Sequence, residues 1–170
     1  MGVRHTTIES TLGEITLAAK DDALAGIYFE HHRHPPTREA LGESVAVEDD
    51  PLLERAAREL GEYLDGQRRS FDVPITLGGN PFQARVWELL QTIPYGETTT
   101  YGALADQLGD RRLARAVGRA VGQNPVSVFV PCHRVVGHDG KLTGYAGGLD
   151  RKRHLLTLEH PRVPIAGTLC

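Results

Sequence analysis

Cysteine is scarce in this chain, with two among 170 residues, at positions 132 and 170. Two thiols, one of them terminal, do not make a disulfide framework, and so few of them suit a reducing, cytoplasmic location. Long apolar runs are also missing. No stretch approaches the roughly 20 residues of a membrane helix, and no signal peptide is visible, so no membrane partner is expected. The opening Met1-Gly2-Val3-Arg4-His5-Thr6 matches the loose N-myristoylation pattern, but it runs into a strand-like segment and is set aside. A large charge of either sign is absent too. The formal net charge of −3 does not advertise a nucleic-acid binder.

The charge is unevenly spread, however. Residues 1–100 hold 9 Lys+Arg against 17 Asp+Glu, a balance of −8, and residues 101–170 hold 10 against 5, a balance of +5. A basic C-terminal half on an acidic N-terminal half suits one-sided contact with DNA, although a solvated basic face would look the same. With 40% hydrophobic residues the chain can build a core, and its length allows one large domain or two small ones.

Residues 3–9, 12–19 and 23–29 are short and β-leaning, broken at Gly13 and Asp21-Asp22, and predict a small antiparallel sheet. His31-His32-Arg33-His34 places three histidines in four positions. No cysteine precedes Cys132 to complete a metal site, so an exposed loop without metal is expected. The acidic residues 42–50 are also read as loop. From Pro51 the pattern is helical, with Leu53, Ala56, Ala57, Leu60 and Leu64 on one face and Gly66 past the end. Gly78-Gly79-Asn80 is the most plausible boundary. It divides an α/β N-terminal domain (1–78, small antiparallel sheet plus helix) from a mostly α C-terminal domain (79–170).

A helix from about Pro81 buries Phe82, Val86, Leu89, Leu90 and Ile93, and Pro94-Tyr95-Gly96 breaks it. Thr99 or Thr100 can cap the next, where Tyr101, Leu104, Ala105 and Leu108 follow helical spacing. After Gly109-Asp110 a helix over about 111–123 buries Leu113, Ala116, Val117, Ala120 and Val121. Its other face presents Arg111, Arg115, Gly118, Arg119 and Gly122. Cations beside glycines let a backbone approach a phosphodiester surface, and helix, short turn, basic second helix is helix-turn-helix logic. Ordinary helical packing is the alternative. Residues 135–143 around Gly137–Lys141 predict a short hairpin, residues 144–148 a flexible loop, and Asp150 to Glu159 a last helix.

Asn124-Pro125-Val126-Ser127-Val128-Phe129-Val130-Pro131-Cys132-His133-Arg134-Val135-Val136-Gly137 carries the internal cysteine. An apolar run leads to it, and an imidazole and a guanidinium follow. A thiolate is nucleophilic when a neighbouring base or cation lowers its pKa, whereas a lone buried Cys behaves as a small hydrophobe. Glu159 shares an apolar helix face with Leu155 and Leu156, so its carboxylate needs a partner, and His133 is the obvious one.

PCHRVVG, preceded by ARAVG and NP and followed by GYAGG, resembles the active-site signature of the O6-alkylguanine-DNA alkyltransferases, in the single-function bacterial form. The match is firm from Phe82 to Glu159 and loose before it. The resemblance implies repair of duplex DNA by stoichiometric transfer of an alkyl group from O6-alkylguanine, and from O4-alkylthymine, to Cys132. His133, Glu159 and Asn124 fall where the family's catalytic histidine, glutamate and asparagine fall. Arg115 matches the residue inserted into the base stack after nucleotide flipping, with the recognition helix in the minor groove. Tyr101 matches the tyrosine that contacts the guanine or its phosphate. Val135, Tyr145, Ala146 and Gly147 would line the alkylguanine pocket. No cofactor is implied, a monomer is expected, and cooperative assembly on DNA stays open. Asp110-Arg111-Arg112-Leu113 departs from the family's usual turn by two added cations, read as altered phosphate contact, and Ala146 stands where several relatives have serine. A non-catalytic module that binds alkylated DNA, a helix-turn-helix regulator and a cysteine hydrolase are the competing readings.

Overall fold

The structure is a computed structural model that describes residues 2–33 and 35–161, so His34 and Cys170 lie outside the described residues. Two compact units make up the chain. The first comprises Met1–Leu77 and Pro125–Phe129, the second Gly78–Asn124 and Val130–Cys170. Among the described residues no helix is long and apolar enough to cross a membrane.

In the first unit β1 (Val3–Ser10), β2 (Gly13–Lys20) and β3 (Ala23–Phe29) form an antiparallel meander. Alternating apolar residues such as Ile15 and Leu17 turn one face inward, because successive side chains of a strand point to opposite sides. After the short α1 (Arg38–Leu41), β4 (Glu43–Ser44) adds to β1 in parallel. The sheet is therefore mixed, in the order β3-β2-β1-β4, and not purely antiparallel as expected. Two residues pairing on an edge leave no periodic signal, and this is why the acidic stretch read as loop. Helix α2 (Pro51–Leu64) buries Leu53, Ala56, Leu60 and Leu64 as the spacing predicts. Residues Pro125–Phe129 join this unit through main-chain pairing, with Ile27 N donating to Pro125 O at 2.9 Å and the Phe129 ring 4.1 Å from that of Phe71. Nothing in the local apolar pattern of those five residues announces their partner.

In the second unit α3 (Pro81–Gln91) opens with a reciprocal cap between Asn80 and Gln83. Trp87 is buried and its Nε1 donates to Ala120 O at 2.8 Å, joining α3 to α5 (Ala114–Gly122). Gly79 is at φ 81°, and a Cβ there would overlap the Trp87 ring. Two-residue β5 (Thr99–Thr100) precedes α4 (Tyr101–Gln107), capped by Thr100. A 3-10 turn over Arg111–Leu113 then enters α5, so the single helix expected over 111–123 is a turn followed by a shorter helix. Asp110 causes the turn by accepting from Arg112 N at 2.9 Å. The expected hairpin over 135–143 is not formed. β6 (Val135–Val136) pairs in parallel with β5, and Gly137–Lys141 closes a turn without a returning strand. Last comes α6 (Leu149–Glu159).

Asp50 illustrates how the first unit is held. It caps α2 by accepting from Leu52 N and Leu53 N, both at 3.1 Å, and is ion-paired with buried Arg4. The Arg4 hydrogen bond is the main reason its carboxyl pKa lies below the ordinary 3.8. A depressed carboxylate stabilises above its unfolded value, and that contribution is lost as pH falls through the lower folded one. Asp50→Ala strands Arg4 and removes the cap, and should cost about 3–5 kcal/mol in urea denaturation at neutral pH, with the gap to wild type narrowing in acid.

Candidate active site

Sequence places Cys132, His133 and Arg134 side by side, and the chain needs three separate elements to make them a site. Pro131 introduces a 3-10 turn over Cys132–Arg134, and β6 leaves it at once to pair with β5. Asn124 closes the base of the preceding excursion, its Nδ2 donating to Val130 O at 2.9 Å. Within the excursion Val128 has φ 75°, a left-handed conformation that a β-branched residue adopts only under restraint from its surroundings. Asn124 is buried, so this amide–carbonyl bond sets where the cysteine turn begins.

The turn is locked by one carboxylate. Glu159, 6% exposed at the end of α6, meets His133 Nε2 at 2.8 Å and accepts a two-pronged bond from Arg134, Nε and Nη2 each at 2.8 Å. Gly96 N adds a longer contact at 3.4 Å, and Arg134 Nη1 donates to Ile93 O. A carboxylate gripped by a guanidinium fork is an acceptor, so His133 carries its proton on Nε2 and presents Nδ1 as the basic nitrogen. The imidazole is completely buried. Burial is the largest influence and pushes its pKa down. Glu159 pulls it up, while Arg134 and Lys152 push it further down. Glu159 thus favours charged His133, but burial outweighs it, with Arg134 and Lys152 acting in the same sense as burial, and the resting imidazole is neutral.

Cys132 is 5% exposed. Val135, Tyr145, Ala146 and Gly147, the expected pocket residues, are buried too. Tyr101 Oη donates to Thr143 O at 3.4 Å and accepts from Thr143 Oγ1 at 3.1 Å. Burial keeps its phenol protonated, and a charge on Cys132 would raise its pKa further. Its ring lies over Gly118, where an added Cβ would rest 3.7 Å away. Sequence reasoning singled out neither Thr143 nor Lys152, and it offered the Arg134 guanidinium to the thiol and not to Glu159. The Arg134 signal was present, since an arginine directly after a buried histidine must find an anion.

On the outer face of the helix pair Arg115 and Arg119 are exposed and, among the described residues, form no ion pair. Arg111 differs: it is ion-paired with Asp106 and its side chain covers Gly102. Arg112 pairs with Asp110 at 3.1 Å. The two cations that depart from the usual turn are therefore both matched by carboxylates within this unit. Gly122 has nothing within 4 Å of an added Cβ. In the His31–His34 stretch, His32 Nδ1 accepts from Phe29 N at 3.2 Å and its ring stacks on Phe29. No cluster that could hold a metal occurs among the described residues.

A buried cysteine turn locked by an imidazole–carboxylate–guanidinium cluster, on a unit that also carries a basic-faced helix pair, defines a helix-turn-helix protein with a thiol centre. Residues 3–77 match the family model of the 6-O-methylguanine DNA methyltransferase ribonuclease-like domain, and residues 81–161 that of the DNA binding domain of the same protein. The chain belongs to the 6-O-methylguanine DNA methyltransferase family. The methylated-DNA–protein-cysteine methyltransferase of Mycolicibacterium paratuberculosis is 44% identical over 167 residues, 98% of each chain. The crystal structure of Mycobacterium tuberculosis O6-methylguanine methyltransferase superposes with a TM-score of 0.83 at 44% identity, covering 95% of both chains. Mycobacterium tuberculosis OGT in complex with DNA gives 0.84 at 45% identity over 96% of each.

Because His133 is held neutral, its signals should not titrate near the ordinary 6.5 but only at lower pH, readable by NMR of labelled imidazole. With a depressed folded pKa its contribution to stability is whole above about 6.5 and declines as pH falls below that. Glu159→Ala strands Arg134 and should lower stability by about 3–5 kcal/mol in urea denaturation.

Proposed function

We propose that this protein repairs alkylated DNA by moving the alkyl group from O6-alkylguanine, and from O4-alkylthymine, onto Cys132. The observation that carries the reading is the 2.8 Å contact between His133 Nε2 and a Glu159 already held by Arg134, directly beside the cysteine. With Nε2 committed to the carboxylate, the thiol proton passes to Nδ1, directly or through one water. The thiolate attacks the alkyl carbon in line. The S–C bond forms as the C–O bond breaks, both electrons leave with oxygen, and the released proton replaces the alkyl group on the base. The product is a thioether, which water does not readily cleave, so each chain acts once.

The target atom faces its neighbours inside a duplex, so the nucleotide must leave the stack, and an exposed side chain must fill the gap. Arg115 suits that role, being an exposed cation near the start of α5. Gly118, Arg119 and Gly122 continue the same face, and small residues there allow close approach in a minor groove. Tyr101 offers a protonated phenol to the base or its phosphate. Val135, Tyr145, Ala146 and Gly147 form the wall around the base, where Ala146 contributes its backbone amide only. Arg111 reaches phosphate only by exchanging Asp106 for it. The chain works as a cytoplasmic monomer in this reading.

Intact mass after mixing with excess O6-benzylguanine or an O6-methylguanine duplex is the direct test. One alkyl adduct per chain is expected, absent in Cys132→Ser. Unmodified protein that still binds the damaged duplex would favour a binding module, and repeated turnover a hydrolase.

Gly122 separates surface from fold. Its added methyl meets no protein atom, so Gly122→Ala should stabilise the helix by about 0.5–1 kcal/mol. The same methyl should weaken duplex binding, measured by fluorescence anisotropy, if this face lies against DNA. Unchanged affinity would remove α5 from the contact.

A further inference from the structure

Pro94-Tyr95-Gly96 serves in the sequence only to end α3, but the loop it forms is directed at the cysteine turn. Glu97 N donates to Pro94 O at 3.1 Å, which closes a tight turn. Gly96 has φ 83°, a conformation that favours glycine, and a Cβ there would come within 3.3 Å of Glu159 O. Its N–H reaches the Glu159 carboxylate at 3.4 Å. Just before the turn, Ile93 O accepts from Arg134 Nη1 at 2.6 Å. Tyr95 faces the same two residues. The Cζ of Arg134 lies 5.7 Å from the centroid of its ring, within the range at which an aromatic face attracts a guanidinium. Its hydroxyl donates to Leu158 O at 3.4 Å, in the last turn of α6. Tyr95 is half-buried, Arg134 is 7% exposed and the His133 imidazole is fully buried, so the ring stands between the guanidinium and solvent.

We propose that Tyr95 is a positioning residue for alkyl transfer, whose ring lids the Arg134 guanidinium and so keeps water out of the bonds that hold Glu159 against His133. The inference rests on His133 taking the thiol proton. A guanidinium fork on a carboxylate is strong where water is excluded and weak where water enters. The groups that face His133 are Glu159 and Lys152 from α6, Arg134 from its own turn, and Cys132 beside it in the chain. Opening the lid changes three influences on the imidazole, all in one direction. Burial, the largest, is reduced. Arg134 is drawn off toward water, and Glu159, less committed to the fork, is freer to attract a charged ring. Each change favours protonated His133, so the base is occupied at a pH where wild type keeps it free. The hydroxyl contact is long and orients the ring, and the ring face does the covering.

The test uses the full chain with Tyr95→Leu and Tyr95→Phe, and Cys132→Ser as the blank for transfer. The His133 midpoint is read by NMR of labelled imidazole, and alkyl transfer from an O6-methylguanine duplex is followed over the same pH range. In Tyr95→Leu the midpoint should rise by about one pH unit. At the wild-type midpoint about a tenth of the imidazole is then neutral in place of half. Transfer there should fall about fivefold, and at about pH 8 it should stay within about twofold of wild type. Tyr95→Phe keeps the ring and should hold the midpoint within about 0.3 unit. A residue needed only for packing would lower stability to urea in Tyr95→Leu without moving the His133 midpoint, and that result overturns the proposal. So does a His133 midpoint that rises equally in both variants. If Tyr95→Leu fails to fold by circular dichroism, wild type and Tyr95→Phe decide through the Arg134 Nε–H. In both it should exchange with water at least about tenfold more slowly than that of exposed Arg119, and exchange at the exposed rate overturns the lid. Should wild type never accept the duplex alkyl group, the repair reading fails, and the imidazole midpoints still decide the role of the ring.

Discussion

A single carboxylate, that of Glu159, holds the reactive end of this protein together. It is buried, yet it faces the two prongs of Arg134 and the Nε2 of His133, each at 2.8 Å. A bare carboxylate in such a place would be costly, and a guanidinium fork with an imidazole satisfies most of its lone pairs. In return it fixes three things at once. The turn of Cys132–Arg134 is bound to the last turn of α6, Arg134 is aimed at Ile93 O beyond the end of α3, and the tautomer of His133 is set. Removing the carboxylate would free the turn that presents the sulfur.

The charges around that carboxylate follow from this arrangement. Arg134 neutralises Glu159, so the imidazole experiences burial more than attraction and stays neutral. A second buried cation, Lys152, opposes charge on the imidazole further. The same principle of local matching operates on the outer surface with the opposite effect. Arg111 and Arg112 are matched by Asp106 and Asp110, whereas Arg115 and Arg119 are exposed cations. Counting arginines along the helix would not separate the two pairs.

Much of this was legible in the residues. The stripe of Leu53, Ala56, Leu60 and Leu64 and the Thr100 cap are local signals, and local physics dictates them. Glu159 was legible as well, because a carboxylate between leucines on a helix face must be paired. The edge strand Glu43–Ser44 and the parallel pairing of Thr99-Thr100 with Val135-Val136 were not. Two residues carry no period, and their partner lies far along the chain. The expected hairpin after Val136 is absent for the same reason: its turn residues do close a turn, but β6 pairs with the distant β5 and no strand returns from the turn.

The order of motifs from Phe82 to Glu159, the residue types able to make a thiolate, and the uneven charge were determined by the sequence alone. Which cation meets which anion was decided by the tertiary structure. Arg134 joins a carboxylate 25 residues away, Arg111 is turned back to Asp106, and Lys152 is carried inward to the carbonyls of Thr143 and Gly144. Spacing along a helix specifies a face. The identity of the group waiting on the other side depends on how the chain returns, and burial then converts that meeting into a fixed charge state.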